Sequence, residues 1–279
     1  MKFIIYYVPL QIRMNKIVFI ALTALLAVSC GHKSEKTVMN AEGLDFDKIT
    51  VDTIAPLLQE EGSPAAHIHL TMMYGKGDLG KTINHAILKG GFLTPDYMGT
   101  MADGITMKQA VDSFVINYVN DYKRDYAPLY RSDREHKDSY QINYDCNTYV
   151  QHHRDGIICY IAHSNMFGGG EHSISTTLAK NIEIKSGKIL SASDIFAEGY
   201  EQPLADLIAN KLCEQQDVKT LQKLQEKGFF VDIDPYVSDN FILGDGEVTF
   251  IYVDSEIAPH ELGEIRITLS DDELESVLK

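Results

Sequence analysis

The chain has 279 residues, of which 44% are hydrophobic, and its formal net charge is −15 at pH 7. The length and the hydrophobic content predict a folded body with a sizeable core, built as one domain or two. The negative charge argues against a nucleic-acid-binding protein and against adsorption to anionic lipid headgroups. Four cysteines are too few for a disulfide scaffold.

The first thirty residues have the features of an exported lipoprotein precursor. They contain no Asp or Glu, and an apolar run from Ile17 to Val28 precedes Ser29 and Cys30. This run is short for a bilayer span, which predicts a cleavable signal peptide over residues 1–29, with the start at Met14. The small or β-branched residues before Cys30 resemble a bacterial lipobox. The alternative is a buried N-terminal helix that ends at an ordinary cysteine.

The lipobox predicts a location at the cell envelope. We expect a lipid on Cys30, a tether over residues 30–45, and a body that faces the periplasm or the exterior and contacts the membrane only through this anchor. Cleavage before Cys30 would leave 22 cations against 40 acids, a formal charge of −18. Such a surface attracts a basic partner, or it serves only to keep the body soluble.

The first half of the body is predicted to contain strands at 50–54 and 66–74, with His67 and His69 on one face of the second strand. A short helix is expected over 81–89. The longest helix is expected to begin after Thr106, because Thr106 and Gln109 form a capping box. Its inward face consists of residues spaced three or four apart: Met107, Ala110, Val111, Phe114, Tyr118 and Tyr122.

A β-hairpin is expected next in the chain. Strand-like runs at 139–150 and 157–164 flank Asp155-Gly156, a pair typical of tight turns. A turn at this pair does not place Cys146 opposite Cys159, which argues against a disulfide between them.

The rest of the chain alternates strands with short helices. Strands are expected at 173–184, 240–243, 247–253 and 263–269, and helices over 202–216, up to Lys227, and after the capping box of Ser270 and Glu273. Hairpin-paired strands with helices between them predict an α+β fold of antiparallel sheets and packed helices. Two sequential subdomains are expected, at 46–165 and 166–279.

The most distinctive candidate site is the glycine run that ends in Glu171 and His172. Three glycines allow positive φ and a close approach to a ligand or another strand, and His172 projects from that bend. The alternative is a glycine-rich strand connection with a hydrogen-bonded histidine. A metal site is an alternative for His67 and His69, with a third ligand from the remaining histidines near the hairpin: His152, His153 or His163.

Other catalytic motifs are missing from the sequence. His260 and Glu261 begin like a zincin helix, but position 264 is Glu264 and not histidine. The sequence contains no G-x-S-x-G elbow, P-loop, dinucleotide fingerprint or CxxC. We therefore assign no catalytic residue, no metal ligand and no cofactor.

The order of short motifs in the second half resembles a known family. The motifs are Gly169-Gly170-Glu171-His172, Asn181 to Ile184, Ser186 to Lys188, Ser193 to Phe196, and the closing set of Tyr252, Glu256 to Pro259 and Gly263. This order is similar to the extracytoplasmic domain family of the anti-sigma factor RsiV, which also occurs in the peptidoglycan deacetylase PdaC. Residues 50–164 resemble the partner domain that usually precedes it.

The resemblance implies a non-catalytic α+β body. In RsiV this domain binds lysozyme as a sensor, and lysozymes are often strongly basic, so the acidic charge gains a meaning through electrostatic steering. Ligand contacts are then expected at the motif residues Gly169, Gly170, Glu171, His172, Tyr252 and Glu256.

Three functions follow as hypotheses. The first is a lipid-anchored envelope protein that binds a basic wall-active protein such as lysozyme, or peptidoglycan fragments, without catalysis. The second is an envelope hydrolase that uses His172 with a nearby carboxylate or a metal. The third is a structural or complex-forming lipoprotein, which would expose a large apolar patch. The sequence does not define an oligomeric state.

Overall fold

A computed structural model of the chain describes residues 37–100, 104–170 and 172–279. The expected signal peptide, Cys30 and the first part of the expected tether lie outside these residues, as does Glu171. Within the described residues, no helix combines the length and the hydropathy that crossing a bilayer requires.

Ten strands and six α-helices occur in the described residues. The strands are β1 (Asn40–Ala41), β2 (Leu44–Pro56), β3 (Ala65–Gly75), β4 (Ile142–Arg154), β5 (Ile157–Phe167), β6 (Ile174–Glu183), β7 (Ile189–Leu190), β8 (Phe241–Leu243), β9 (Glu247–Tyr252) and β10 (Ile265–Ser270). The helices are α1 (Gly77–Lys89), α2 (Met107–Ser132), α3 (Ala192–Ile195), α4 (Glu201–Gln215), α5 (Leu221–Glu226) and α6 (Asp271–Leu274). The expected α+β fold is confirmed.

A seven-stranded sheet contains the first seven strands in chain order, from β1 to β7. Its neighbours are antiparallel except for β3 and β4, which are parallel, with Ala66 opposite Ile142. The antiparallel sheets expected from the sequence are present, and this parallel pair is the exception among the described strands. A parallel pair needs a crossover connection, and here the chain makes it through α1 and α2.

Helix α2 begins where the sequence predicts. The hydroxyl of Thr106 accepts a hydrogen bond from the Gln109 backbone, and the Gln109 side chain bonds back to Thr106, which completes the capping box. Most of the predicted inward face is buried against the large sheet, whereas Tyr118 is only partly buried.

Strand β5 is buried on both faces of the large sheet. Ile158 and Tyr160 point into the core that contains α1 and α2, while Cys159 and Ile161 pack against Ile251 of the small sheet. Because successive strand residues point to opposite faces, a continuous apolar run is needed where both faces are covered. The helices and the small sheet therefore cover opposite faces of the large sheet.

The predicted hairpin is confirmed in β4 and β5, which are joined at Asp155-Gly156. Cys146 lies opposite Ser164, and Cys159 lies opposite Gln151. Cys146, Cys159 and Cys213 are buried thiols. Burial raises the pKa of Cys146 to about 12, which keeps this thiol protonated near neutral pH.

A smaller sheet of three antiparallel strands has the order β10-β9-β8. It packs with α4 and α6 around a second hydrophobic core that begins at Ala192 and ends at Val277. The core of the large sheet ends at Ile184. Residues 165 and 166, between which the subdomain boundary is expected, both lie in β5, which pairs with β6.

The segment 37–45, assigned to the tether by the sequence pattern, lies within the body. The Val38 amide donates to the Val150 carbonyl at 2.9 Å, and Ala41 and Leu44 are buried. The four apolar residues of this segment, Val38, Met39, Ala41 and Leu44, are not regularly spaced, so the sequence did not predict this pairing.

Two asparagine side chains, one on β6 and one just before β8, hydrogen-bond these two strands to each other. The Asn181 amide donates to the Phe241 carbonyl at 2.8 Å, and its oxygen accepts from the Leu243 amide at 3.1 Å. The Asn240 side chain bonds β6 in the same two-way manner. Asn181 is 1% exposed, so its bonds satisfy backbone groups that water does not reach.

Candidate functional site

The predicted glycine bend connects β5 to β6. Gly169 has φ +77°, and a β-carbon added there would lie 2.0 Å from the Ser139 carbonyl oxygen. The expected close backbone approach is therefore present at Gly169, although the neighbour is the chain itself. Gly170 has open space around it.

His172 is exposed beside His260, with 5.5 Å between the ring centroids. The Nδ1 atom of His260 lies 2.7 Å from a carboxylate oxygen of Asp254. Burial alone would raise the pKa of Asp254, but hydrogen bonds from His260 and Ser255 hold it below its usual value. The Asp254 carboxylate thus orients the His260 ring next to His172.

Tyr252 is a core residue and does not reach the surface. It is fully buried, its ring packs edge-on against Phe230 and Tyr236, and its hydroxyl donates to the Tyr236 carbonyl at 2.5 Å. Burial raises the pKa of its phenol. The ligand contact expected at Tyr252 is therefore corrected to a packing role.

Glu256 ties two loops together. Its carboxylate accepts from the Val253 amide at 2.7 Å and from the Tyr236 hydroxyl at 2.5 Å. Burial and the neighbouring carboxylate raise the pKa of Tyr236, so the phenol remains a donor. Glu256 stays partly exposed.

The loop at 230–239 was missed by the sequence analysis. Three of its apolar side chains are exposed, Val231 by 54%, Ile233 by 42% and Tyr236 by 37%, with Asp232 and Asp234 between them. We define the loop face as this loop together with residues 253–256, the 3-10 helix His260–Leu262 and His172. Its sequence mark is the alternation of apolar residues with aspartates before Pro235.

Three residues of the loop face have unusual backbone conformations. Phe230, Asp232 and Ser255 have φ of 48°, 59° and 64°, in the left-handed region that non-glycine residues rarely adopt. The Phe230 ring is fully buried, and its amide donates to the Ile257 carbonyl at 2.8 Å. Such conformations persist only where surrounding contacts fix them, and they cluster at functional sites.

The acidic charge of the chain is concentrated in the segment that contains most of this face. Residues 193–279 contain 20 of the 40 acidic residues but only six of the 25 lysines and arginines, a formal charge of −14. Residues 1–192 carry the other 20 acids with 19 cations, a formal charge of −1. None of the 20 acidic side chains in 193–279 is buried. Counting charge by segment would have found this asymmetry in the sequence.

Three of the histidines considered as metal ligands, His69, His152 and His163, have separate polar partners. His69 is 3.8 Å from Asp52, and His152 is 3.0 Å from Glu42. Both ring nitrogens of His163 contact hydroxyl groups, those of Tyr149 at 2.6 Å and Thr177 at 2.7 Å. In the described part of the chain, no three His, Cys, Asp or Glu side chains converge as a metal site.

Comparisons with known proteins show that part of the chain is similar to a family of unknown function. Residues 193–272 match the family DUF3298, described as a protein of unknown function. A solved structure of a DUF3298 family member from Bacteroides fragilis has 26% identity and a TM-score of 0.76, over 88% of this chain and 96% of that one. One from Pseudomonas aeruginosa has 16% identity and a TM-score of 0.59, over 85% of this chain and 94% of that one. No curated protein matches. The matched segment contains the loop at 230–239 and most of the acidic charge.

Proposed function

We propose that this chain is a non-catalytic binding protein of the bacterial cell envelope, held at a membrane by lipid on Cys30. Its loop face recognises a basic, wall-active protein of the lysozyme type. The observation that carries the proposal is the exposure of Val231, Ile233 and Tyr236 within a segment of formal charge −14.

The two kinds of side chain on the loop face suit two stages of binding. Exposed carboxylates attract a cationic protein over a distance and raise its association rate. Apolar and aromatic side chains then supply the contact area that holds a complex together. The backbone at Phe230 and Asp232 fixes these side chains before binding, which lowers the entropy cost of the complex.

A protein ligand fits this face better than peptidoglycan fragments do. Stem peptides carry carboxylates, and a segment of charge −14 repels them. A basic protein meets the same segment with the opposite charge. The proposal therefore commits to the protein, and binding of soluble muropeptides to the loop face would contradict it.

Calorimetric titration of the mature protein with hen lysozyme tests the proposal. We expect saturable binding that weakens steeply as salt rises, because screening shortens the range of the attraction. The double variant Val231→Ser/Ile233→Ser should bind about tenfold more weakly. The double variant Asp232→Asn/Asp234→Asn should mainly slow association.

A matched control lies on β2, where Asp47 and Asp52 are exposed acids outside the loop face. The variant Asp47→Asn/Asp52→Asn should bind lysozyme as the parent does. Absence of lysozyme binding at low salt, or equal losses in the control and in the loop variants, would contradict the proposal.

The anchor has a separate test. Cells that express the full chain are labelled with a radioactive fatty acid, and we expect the label on the protein and the protein in the membrane fraction. Cys30→Ala should abolish both. A Cys30→Ala protein that remains in the membrane fraction would contradict lipid anchoring at this residue.

A second candidate function is an envelope hydrolase centred on His172. The observation in its favour is the oriented His260–Asp254 pair beside the His172 ring. An imidazole held by a carboxylate can act as a general base. Release of soluble fragments from purified cell walls, lost in both His172→Ala and His260→Ala, would establish this function in place of binding.

A further inference from the structure

A cleft of about 720 Å³ opens between α1 and the start of α2, beside the end of β3. No residue of the loop face lines it. The volume lies in the range of pockets that bind small molecules, about 300–1,000 Å³.

The floor of the cleft is apolar. Leu88, Met98 and Met107 are buried in the main core and expose their ends to the cleft, and Ile49 and Ile105 extend this surface while half-buried. Methionine side chains are flexible and polarisable, so they adapt to ligands of different shape. The floor therefore suits an apolar group without strict shape.

The rim of the cleft is basic in an otherwise acidic protein. Lys76, Lys81, Lys89 and Lys108 line it, and Asp78 is the single acid among the described lining residues. Lys81 pairs with Asp78 at 2.8 Å and Lys108 pairs with Asp112 at 2.7 Å, but both pairs are exposed and contribute little stability. These pairs can open to a stronger anion at small cost.

The spacing on α1 directs its basic side chains to one face. Lys81, His85 and Lys89 are four residues apart and all line the cleft. Residues at this spacing lie on the same side of a helix. Lys81 and Lys89 can therefore meet one ligand from the same side of the cleft.

Backbone packing fixes α1 beside the cleft. A β-carbon on Gly80 would lie 2.2 Å from the Gly75 carbonyl carbon, so the helix touches the end of β3 directly. The Asn84 side chain bonds both the amide and the carbonyl of Gly75, each at 2.8 Å. Helix α1, which carries Lys81 and Lys89, is therefore held directly against the end of β3.

We propose that this cleft binds a small amphipathic anion, with its apolar part on the methionine floor and its carboxylate or phosphate group among the lysines. This site is independent of the loop face. It can hold a ligand whether or not the loop face binds a basic protein.

Titration of the mature protein with four probes tests the proposal. Octanoate and octyl phosphate present the two head groups on the same chain, inorganic phosphate lacks the chain, and octyltrimethylammonium reverses the charge. We expect one molecule of an octyl anion per protein. Octyl phosphate should bind more tightly than inorganic phosphate, and the octyl cation should not bind. The stronger octyl anion identifies the head group.

Charge variants then locate the site. Lys81→Gln/Lys89→Gln should weaken octyl anion binding about tenfold, because two of the four cations are lost. Lys219→Gln/Lys227→Gln removes two exposed lysines elsewhere and should leave binding unchanged. Circular dichroism checks that each variant folds, and Lys76→Gln, outside the helix, serves if the α1 variant does not.

Three results would overturn the proposal. They are the absence of binding by either octyl anion at low salt, equal binding of the octyl cation, and equal effects of the two lysine pairs. Octyl phosphate that binds no better than inorganic phosphate would show that the apolar floor takes no part in binding, which also contradicts the proposal.

Discussion

The large-sheet region and the acidic region after residue 192 both combine a sheet with helices, but they differ in net charge and in the side chains that they expose. The first region has a formal charge of −4 over residues 30–192, its sheet is covered by α1 and α2 on one face and by the small sheet on the other, and four lysines line its cleft. The second has a small sheet, long loops and a formal charge of −14, and it exposes apolar side chains among its acids. The whole-chain charge of −15 hides this contrast, so charge informs about partners only when it is located on the structure.

Removing the Asn181 side chain should weaken the link between the two regions. Asn181→Ala leaves the Phe241 carbonyl and the Leu243 amide buried without partners, which should cost about 2–4 kcal/mol of unfolding free energy. Urea unfolding followed by circular dichroism measures the loss. Asn210→Ala, on the exposed surface of α4, is the control. A loss as small as that of the control would show that other contacts join the regions.

Gly169 tests whether the bend of the large sheet is fixed by its own backbone. Gly169→Ala combines a positive φ with a contact of 2.0 Å, and it should cost about 2 kcal/mol. Gly156→Ala has the positive φ without the contact, and Gly170→Ala has neither. The melting temperature should therefore drop most in Gly169→Ala, less in Gly156→Ala and least in Gly170→Ala. Equal melting temperatures for Gly169→Ala and Gly170→Ala would contradict this prediction.

Tyr252→Phe separates packing from ligand contact in the acidic region. It removes a buried hydrogen bond to the Tyr236 carbonyl and should cost about 1 kcal/mol. Lysozyme affinity should stay unchanged, because the ring is fully buried. A large loss of lysozyme affinity with little loss of stability would contradict the packing role and show that Tyr252 contacts the ligand.

The smallest expected effect concerns acid stability within the acidic region. Hydrogen bonds from Lys211 and Ser270 lower the pKa of Glu273 to about 2 from 4.5. A depressed carboxyl pKa stabilises the fold above pH 4.5, and this contribution is lost as pH falls towards 2. Because the carboxylate is 38% exposed, we expect less than about 1 kcal/mol.

The matched variants for this effect are Glu273→Gln and Glu275→Gln. Glutamine at position 273 keeps the capping box while removing the charge. Glu273→Gln should therefore flatten the fall of melting temperature between pH 5 and about pH 2. Glu275→Gln, two residues further on and exposed, should not. Parallel curves for the parent and Glu273→Gln would contradict the prediction.

Elements defined by local chemistry were predictable from the sequence. The capping boxes at Thr106 and Ser270 mark the starts of α2 and α6, and Asp155-Gly156 marks the hairpin turn. Each depends on residues within four positions of one another. Their spacing alone therefore identified them.

Features that depend on distant residues were not predictable in this way. The parallel pairing of β3 with β4, the bonds of Asn181 to β8 and the burial of Tyr252 each join segments far apart in the chain. Tyr252 belongs to a family-like motif, but a motif does not distinguish a packed ring from one that meets a ligand. The loop at 230–239 alternates apolar residues with aspartates only over residues 231–234, and only the fold shows its apolar side chains in solvent.

The parallel pair has a consequence for how such proteins can diversify. Two neighbouring strands that run the same way oblige the chain to travel back across the sheet, and the segment that does so carries both helices and the space between them. The cavity is thus a by-product of topology, whereas its lysines are surface residues that the sheet does not need. Substitutions on one helix face can change the ligand while the architecture stays intact.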